Sequence, residues 1–512
     1  MRNRVLPRLN DQQVPSSVVG MYGSGRAGQF LRDAMRGTDS VDIVVIGDSN
    51  AGFPVGHGYV GGWNKVMQFG MHVPQYATPI CSGGPVSPTA LTTGNSSNGR
   101  EMMWGVGISQ AWNAQGVAGG SNSPTSCKQM IQSTDSEIVG LRNWLGFNTT
   151  NYNVNDTTNK MLFPQGWMNN PIVVETGQRY TSNNASVVNL LALTNQTIAG
   201  INSFGSEMAF GTSGTGGNSL EYRIVYGTFP TAGSFKPHAF YMNTINAISR
   251  DSVVSTGGGY GFQTRAFRIN SFTLGAQGVS PFRVGFTWDG ANSATAADQA
   301  NGPFACLWQS IIRPDFKGYA VSCLNYFGGV TTTQIAEKIE DCDKMLDAYL
   351  KELRERQIGS TPGTAGTGRV IVFCNSGTNG PDTSTTWVQG AERIRNRIAS
   401  RWVSTGGNLS QLAFVFTVTH PTADAGIAWT ASRAAVSAAA NAWATSNATD
   451  GYGSSVVDIN DAYTTIVLSR YSMYDSTLQT HLNIVAVPPA AVTTAVDAYE
   501  AIVQRVVTCL IS

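Results

Sequence analysis

Val41-Asp42-Ile43-Val44-Val45-Ile46-Gly47-Asp48-Ser49-Asn50 is the stretch on which the fold turns. From Val41 to Ile46 only Asp42 is polar, and β-branched residues fill the rest of the run up to Gly47. A strand with one wet face alternates polar and apolar residues. An almost continuous apolar run instead predicts a central parallel strand covered on both faces. Gly47-Asp48-Ser49 then leaves that strand at its carboxyl end, where open α/β sheets bind ligands. Ser49 is thereby a candidate nucleophile. A serine is weak at its free pKa, so it needs an adjacent base and donors for a developing oxyanion.

Working outward, the same alternation of strand and helix returns after about residue 316. Strand-like runs at 319–324, 369–374 and 412–418 alternate with helical stretches at 331–355, 385–403, 427–445 and 488–509. In the first of these helices Ile335, Ile339, Met345, Leu346 and Leu350 supply an apolar face. The pattern predicts an α/β fold, a parallel sheet with helices on both faces. The intervening segment reads differently. Clusters of Gly, Asn, Ser and Thr separate short alternating runs at 220–226, 266–274 and 282–288. Such runs predict antiparallel strands of a sandwich or barrel. The expected organisation is an entry arm (1–38), a first part of the α/β domain (39–95), an inserted β-rich domain (96–315) and a second α/β part (316–512).

Composition narrows the function classes. The 512 residues carry a formal net charge of +1, which gives no electrostatic case for binding nucleic acid or a membrane surface. Only 13% of residues are charged, so the surface is drawn largely from Gly, Ser, Thr and Asn. Uncharged polar surfaces of this kind occur in extracellular lectin-like and virion proteins. The seven cysteines form no CxxC pair and suggest neither a disulfide framework nor a zinc site; Cys323 and Cys374, inside strand-like runs, read as buried free thiols. The basic N-terminus lacks a following apolar stretch, so no secretory signal is expected, and no 18-residue apolar window predicts a membrane span. No metal or other cofactor is expected.

Four segments, taken in order, resemble the blocks of the SGNH (GDSL-like) hydrolase superfamily. Ile46-Gly47-Asp48-Ser49 matches the first, with Asn50 where Leu is frequent. Asn325-Tyr326-Phe327-Gly328-Gly329-Val330-Thr331 resembles the second, Gly377-Thr378-Asn379-Gly380 the third, and Thr480-His481-Leu482-Asn483 the fourth. The resemblance implies a three-layer α/β/α core and a serine esterase. Ser49 would be the nucleophile and His481 the general base. The Ser49 and Gly329 N–H groups and the Asn379 amide would form the oxyanion hole, with Gly328 the alternative to Gly329. Asn50, Gly328 and His420 are candidates to line the pocket. His57, His72 and His238 have no partner pattern.

Two departures stand out. Gly380 replaces the family's usual Asp, and Leu478 stands three residues before His481, where the family has the Asp that orients the imidazole. The nearest acid is Asp475. Either a longer loop lets Asp475 reach the imidazole, or a backbone carbonyl orients it, or the site is weakened.

Two function classes follow. One is an ester hydrolase, a carbohydrate O-acetylesterase whose long β-rich insertion suits an acylated surface glycan. The other is a binding or structural protein of a virion, a phage tail or capsid appendage, with a vestigial site and a homo-oligomeric or virion assembly. A lipase or thioesterase would show an apolar lid near the motifs, and none is apparent. Aromatics of the insertion, Tyr222, Tyr226, Tyr260 and Trp288, read first as core and second as sugar-stacking rings.

Overall fold

A computed structural model of the protein describes residues 20–52, 58–73, 76–80, 127–130, 133–146, 162–164, 171–178, 191–192, 220–241, 247–269, 282–285, 301–312, 317–326, 331–357, 368–376, 382–418, 430–459 and 498–512. It is a mixed α/β protein with a largely parallel sheet and separate antiparallel sheets. The chain divides into two compact units. One comprises Met1–Gln75, Lys317–Asp341 and Thr367–Ser512, the other Tyr76–Phe316 and Cys342–Gly366.

The first unit contains strands β1 (Met21–Gly23), β2 (Val41–Gly47), β3 (Tyr319–Tyr326), β4 (Arg369–Ser376), β5 (Leu412–Val418) and β6 (Ser454–Val457). They lie in the order β1-β6-β5-β4-β2-β3. All neighbours run parallel except β1 on β6. Every residue of β2 and of β5 is buried, the arrangement that unbroken apolar strands require. Helices α1 (Arg26–Met35), α2 (Ser49–Gly52), α3 (Gly58–Lys65), α4 (Thr332–Asp341), α5 (Ser384–Ser404), α6 (Thr430–Ser446) and α7 (Ala498–Ile511) belong to the same unit.

Aromatic side chains show how both faces are covered. Phe373 of β4 meets Tyr59 and Trp63 of α3, with ring centroids 5.5 and 5.4 Å apart. Phe416 of β5 meets Trp387 of α5 at 6.2 Å and Trp443 of α6 at 5.4 Å. Phe416 is the register partner of Cys374, so it and Phe373 project from opposite faces. Helices therefore pack on both sides of the parallel strands.

Several sequence expectations change here. The segment 1–38, read as an entry arm, contributes β1 and α1 to the first unit from residue 21 onward. The stretch 331–355, read as one helix, is two. α4 ends at Asp341, Cys342 leaves the helical backbone at φ −112°, ψ 44°, and a second helix runs Asp343–Arg356. Lys338 in the last turn of the first and Asp343 in the first turn of the second suit the two helix dipoles, and they mark the break. Of the run expected at 266–274, residues 266–269 belong to a strand at Gly261–Ile269, and 270–274 lie outside the described residues. β6 was not anticipated.

In the second unit one antiparallel sheet orders the strands Gly261–Ile269, Leu220–Thr228, Phe304–Ile312, Ile172–Val174 and Cys127–Gln129, with Ala77–Ile80 also paired to Phe304–Ile312. A four-stranded and a two-stranded antiparallel sheet accompany it. Tyr226, Phe235 and Phe304 form an aromatic core with successive centroids 4.8 Å apart. Tyr222 and Tyr226 are accordingly buried core residues, whereas Tyr260 is exposed; Trp288 lies outside the described residues. Cys323 and Cys374 are buried, as expected. Among the described residues no helix is long and apolar enough to cross a membrane.

Candidate functional site

The strands that lead into the first three motif segments are neighbours, and they end level. Asn325 of β3 is the register partner of Gly47 of β2, and Gly47 is the partner of Asn375 of β4. Asn375 pairs in turn with Thr417 of β5. Each apolar strand thus carries a polar residue or glycine in one row at the carboxyl edge, at its last position in β2 and its last but one in β3, β4 and β5. Ser49 follows this row by two positions, Gly329 and Asn379 by four. Within the row, the buried Asn375 donates its Nδ2 to Thr417 Oγ1 at 2.7 Å. Gly47 is required by close approach: a Cβ there would lie 2.5 Å from the Asn375 carbonyl oxygen.

The chain turns sharply from β2 into α2 because Asp48 holds the turn. Its Oδ1 accepts from the Asn50 N–H at 2.9 Å and from Asn50 Nδ2 at 3.3 Å, and its carbonyl accepts from the Ala51 N–H at 3.0 Å. A carboxylate accepting from a backbone N–H two residues on is an Asx turn, and it satisfies a donor that the first turn of a helix leaves open. Ser49 is the first residue of α2, between these two engaged neighbours. On the far side of Asn50, its Oδ1 accepts from the Tyr499 hydroxyl of α7 at 2.6 Å. Asp48 and Asn50 are completely buried. Asn50, read from sequence as a pocket-lining residue, has both ends of its amide engaged inside the protein.

A second buried link joins α4 to α5. Asp382 Oδ2 accepts from the Thr332 N–H at 3.2 Å and from Thr332 Oγ1 at 2.7 Å. Thr332 lies three residues after Gly329, and Asp382 three after Asn379. Burial pushes the Asp382 carboxyl up from its ordinary value, while hydrogen bonds from Thr332 and Thr386 act in the opposite direction. Thr383 follows as the N-cap of α5, its hydroxyl accepting from the Thr386 N–H in a capping box. At Gly390 of α5 a Cβ would lie 2.8 Å from Thr332 Cγ2, so this glycine lets the two helices approach.

The structure thus places the backbone of Ser49 and the buried Asn50. Gly328, Gly329, Asn379, His420, Asp475 and His481 lie outside the described residues, as does His57. His72 is exposed and adopts a left-handed φ of 56°. Sequence reasoning missed Asp382, Thr332 and Tyr499. The run Pro381-Asp382-Thr383-Ser384 was a readable helix start. Tyr499 carried no signal, because its partner is 449 residues away. Among the described residues no group of three His, Cys, Asp or Glu side chains could hold a metal ion.

No known family model matches the sequence, and no curated protein is detectably similar to it in sequence. The chain is similar to a solved structure of a peptidoglycan O-acetylesterase, with a TM-score of 0.42 and 12% identity over 96% of this chain and 97% of that one.

Proposed function

We propose that the protein is a serine ester hydrolase of the SGNH type, a carbohydrate O-acetylesterase acting on an acylated glycan. In this reading the first unit is the catalytic domain, with the family's three-layer core, and the β-rich second unit recognises the glycan. The observation that carries it is the level row Asn325–Gly47–Asn375. Three segments that resemble separate family blocks, far apart in sequence, leave three adjacent strands at one sheet edge, with the candidate nucleophile on the central strand. Chance matches to short motifs have no reason to converge this way.

The chemistry follows. Ser49 Oγ attacks the acyl carbonyl while His481 takes its proton; Asp475 is the acid proposed to orient the imidazole. The N–H groups of Ser49 and Gly329 and the side-chain amide of Asn379 receive the developing oxyanion. His481 returns the proton to the leaving sugar hydroxyl. Water, deprotonated by the same histidine, then releases acetate from the acyl-enzyme. Gly328 and His420 would line the acyl pocket.

The test compares hydrolysis of p-nitrophenyl acetate by wild type and Ser49→Ala. A rate well above background that disappears in the variant supports the esterase. Equal background rates would remove it and leave the virion binding-protein reading.

A further inference from the structure

We propose that Tyr499 is a positioning residue for Ser49, so that α7 is part of the nucleophile turn. The inference rests on the esterase reading above and adds a residue that none of the family-like segments contains. The hydrogen bonds link the two neighbours of Ser49 to each other and to α7. The residue before it, Asp48, accepts from both the backbone and side-chain N–H groups of the residue after it, Asn50. Asn50 is in turn held from outside the turn by the Tyr499 hydroxyl. All three side chains are buried, so the bonds do not compete with bulk water.

The tyrosine is itself fixed by packing. Its ring meets Tyr59 of α3 edge-on at 5.2 Å. A Cβ on Gly62 of α3 would lie 2.7 Å from the Tyr499 carbonyl oxygen, so α3 and α7 are in backbone contact. A Cβ on Gly58, which has φ +65°, would lie 2.3 Å from the Asn50 carbonyl oxygen. The start of α3 therefore presses on the nucleophile turn while its next turn braces Tyr499. Helix α2 has only four residues, too few to hold its own geometry without such support. Movement of Asn50 would rotate the Ser49–Asn50 peptide, whose N–H Asp48 holds, and shift the serine from its attack position. Misplacement on that scale lowers turnover more than substrate binding.

Tyr499→Phe keeps the ring and removes only the hydroxyl. Tyr226→Phe is the control: it removes a hydroxyl that donates to Gln263 at 2.8 Å in the second unit. Both full-length variants would be assayed with p-nitrophenyl acetate, and amide hydrogen exchange would be followed in a peptide spanning 47–52. For Tyr499→Phe, kcat is expected to fall about tenfold, the equivalent of one net hydrogen bond, with KM within about twofold. Exchange in 47–52 should rise. Tyr226→Phe should change neither. Unchanged kcat, unchanged exchange, or an equal response in the control would overturn the inference. A wild type without activity would remove the esterase reading alone, and exchange in 47–52 would still decide whether Tyr499 holds the turn.

Discussion

Asp382 and Thr332 are joined twice, through the backbone N–H and the hydroxyl of the threonine, at a point where the carboxylate is only 2% exposed. The link fixes the start of α4 against the start of α5 within the first unit. In the proposed site, these are the roots of the two loops that supply oxyanion donors. Asp382→Ala removes two hydrogen bonds that a buried carboxylate accepts from Thr332, at about 1–3 kcal/mol. Denaturant unfolding should report that loss, and kcat should fall with it.

Asp382 also makes a pH prediction with a definite sign. Its folded pKa is raised above the ordinary 3.8, chiefly by burial. The folded state therefore holds the proton more tightly than the unfolded chain. The stabilisation this brings is complete below pH 3.8 and is lost as pH rises through the folded value. Asp382→Asn keeps an acceptor and cannot ionise. Relative to wild type its stability should improve between pH 3 and pH 7, as measured by unfolding at both; a difference that is flat or runs the other way would contradict the assignment.

How much of this was legible in sequence depends on whether the signal was local. β2 and β5 announced themselves because continuous apolar runs have one stable solution, a strand covered on both faces. β6 did not, because Ser454-Ser455-Val456-Val457 is short and half polar, and its burial is a tertiary fact. The break at Cys342 was missed because the buried residues Ile335, Ile339, Leu346 and Leu350 keep one helical phase across it. Of the site, the Gly47-Asp48-Ser49 turn was readable since strand end and helix start lie side by side. The register of Gly47 with Asn325 and Asn375 was not, because pairing between strands some 280 and 330 residues apart leaves no trace in one sequence.

Arg223 anchors the second unit. It is fully buried and pairs with Glu352 at 2.8 Å, with Glu221 at 2.9 Å and with Glu355 at 3.3 Å. Burial alone would lower its pKa, but Glu352 and Glu221 outweigh that and hold it above the usual arginine value. Arg223→Met would leave Glu352 out of water without its cation, while Glu221 and Glu355 keep only the longer pairs with Arg268 at 3.4 Å and Lys351 at 3.7 Å. A loss of about 3–5 kcal/mol is expected. Adding Glu352→Gln should recover part of it, because the two sites share one network. A double-mutant cycle in urea measures both effects.

The buried thiols should be inert. Cys306 is completely buried, and burial pushes its thiol well above the ordinary value. Cys323 and Cys374 are buried in β3 and β4. A thiolate is the reactive form, so a maleimide should leave these three unmodified in native protein and label them in denaturant. Peptide mapping by mass spectrometry distinguishes the two states, and rapid native labelling of Cys306 would contradict its placement.

Gly47 gives the sharpest test of the sheet edge. Its φ is not positive, so alanine is acceptable to the backbone, and the conflict is with its neighbours. The nearest obstacle, 2.5 Å from a Cβ, is the Asn375 carbonyl oxygen, which cannot move without β4. Gly47→Ala should therefore push β2 and β4 apart at the row that precedes Ser49. The expected cost is about 1–3 kcal/mol, the range for inserting a methyl into packed structure. Turnover should fall further than stability implies, because the strained strand carries the nucleophile turn. Gly25→Ala is the matched control. A Cβ there meets nothing within 4 Å, and φ is −78°. It should change stability by no more than about 1 kcal/mol and leave kcat unaltered. Equal effects of the two substitutions on thermal midpoint and kcat would show that the edge is looser than the register of Gly47 with Asn375 implies.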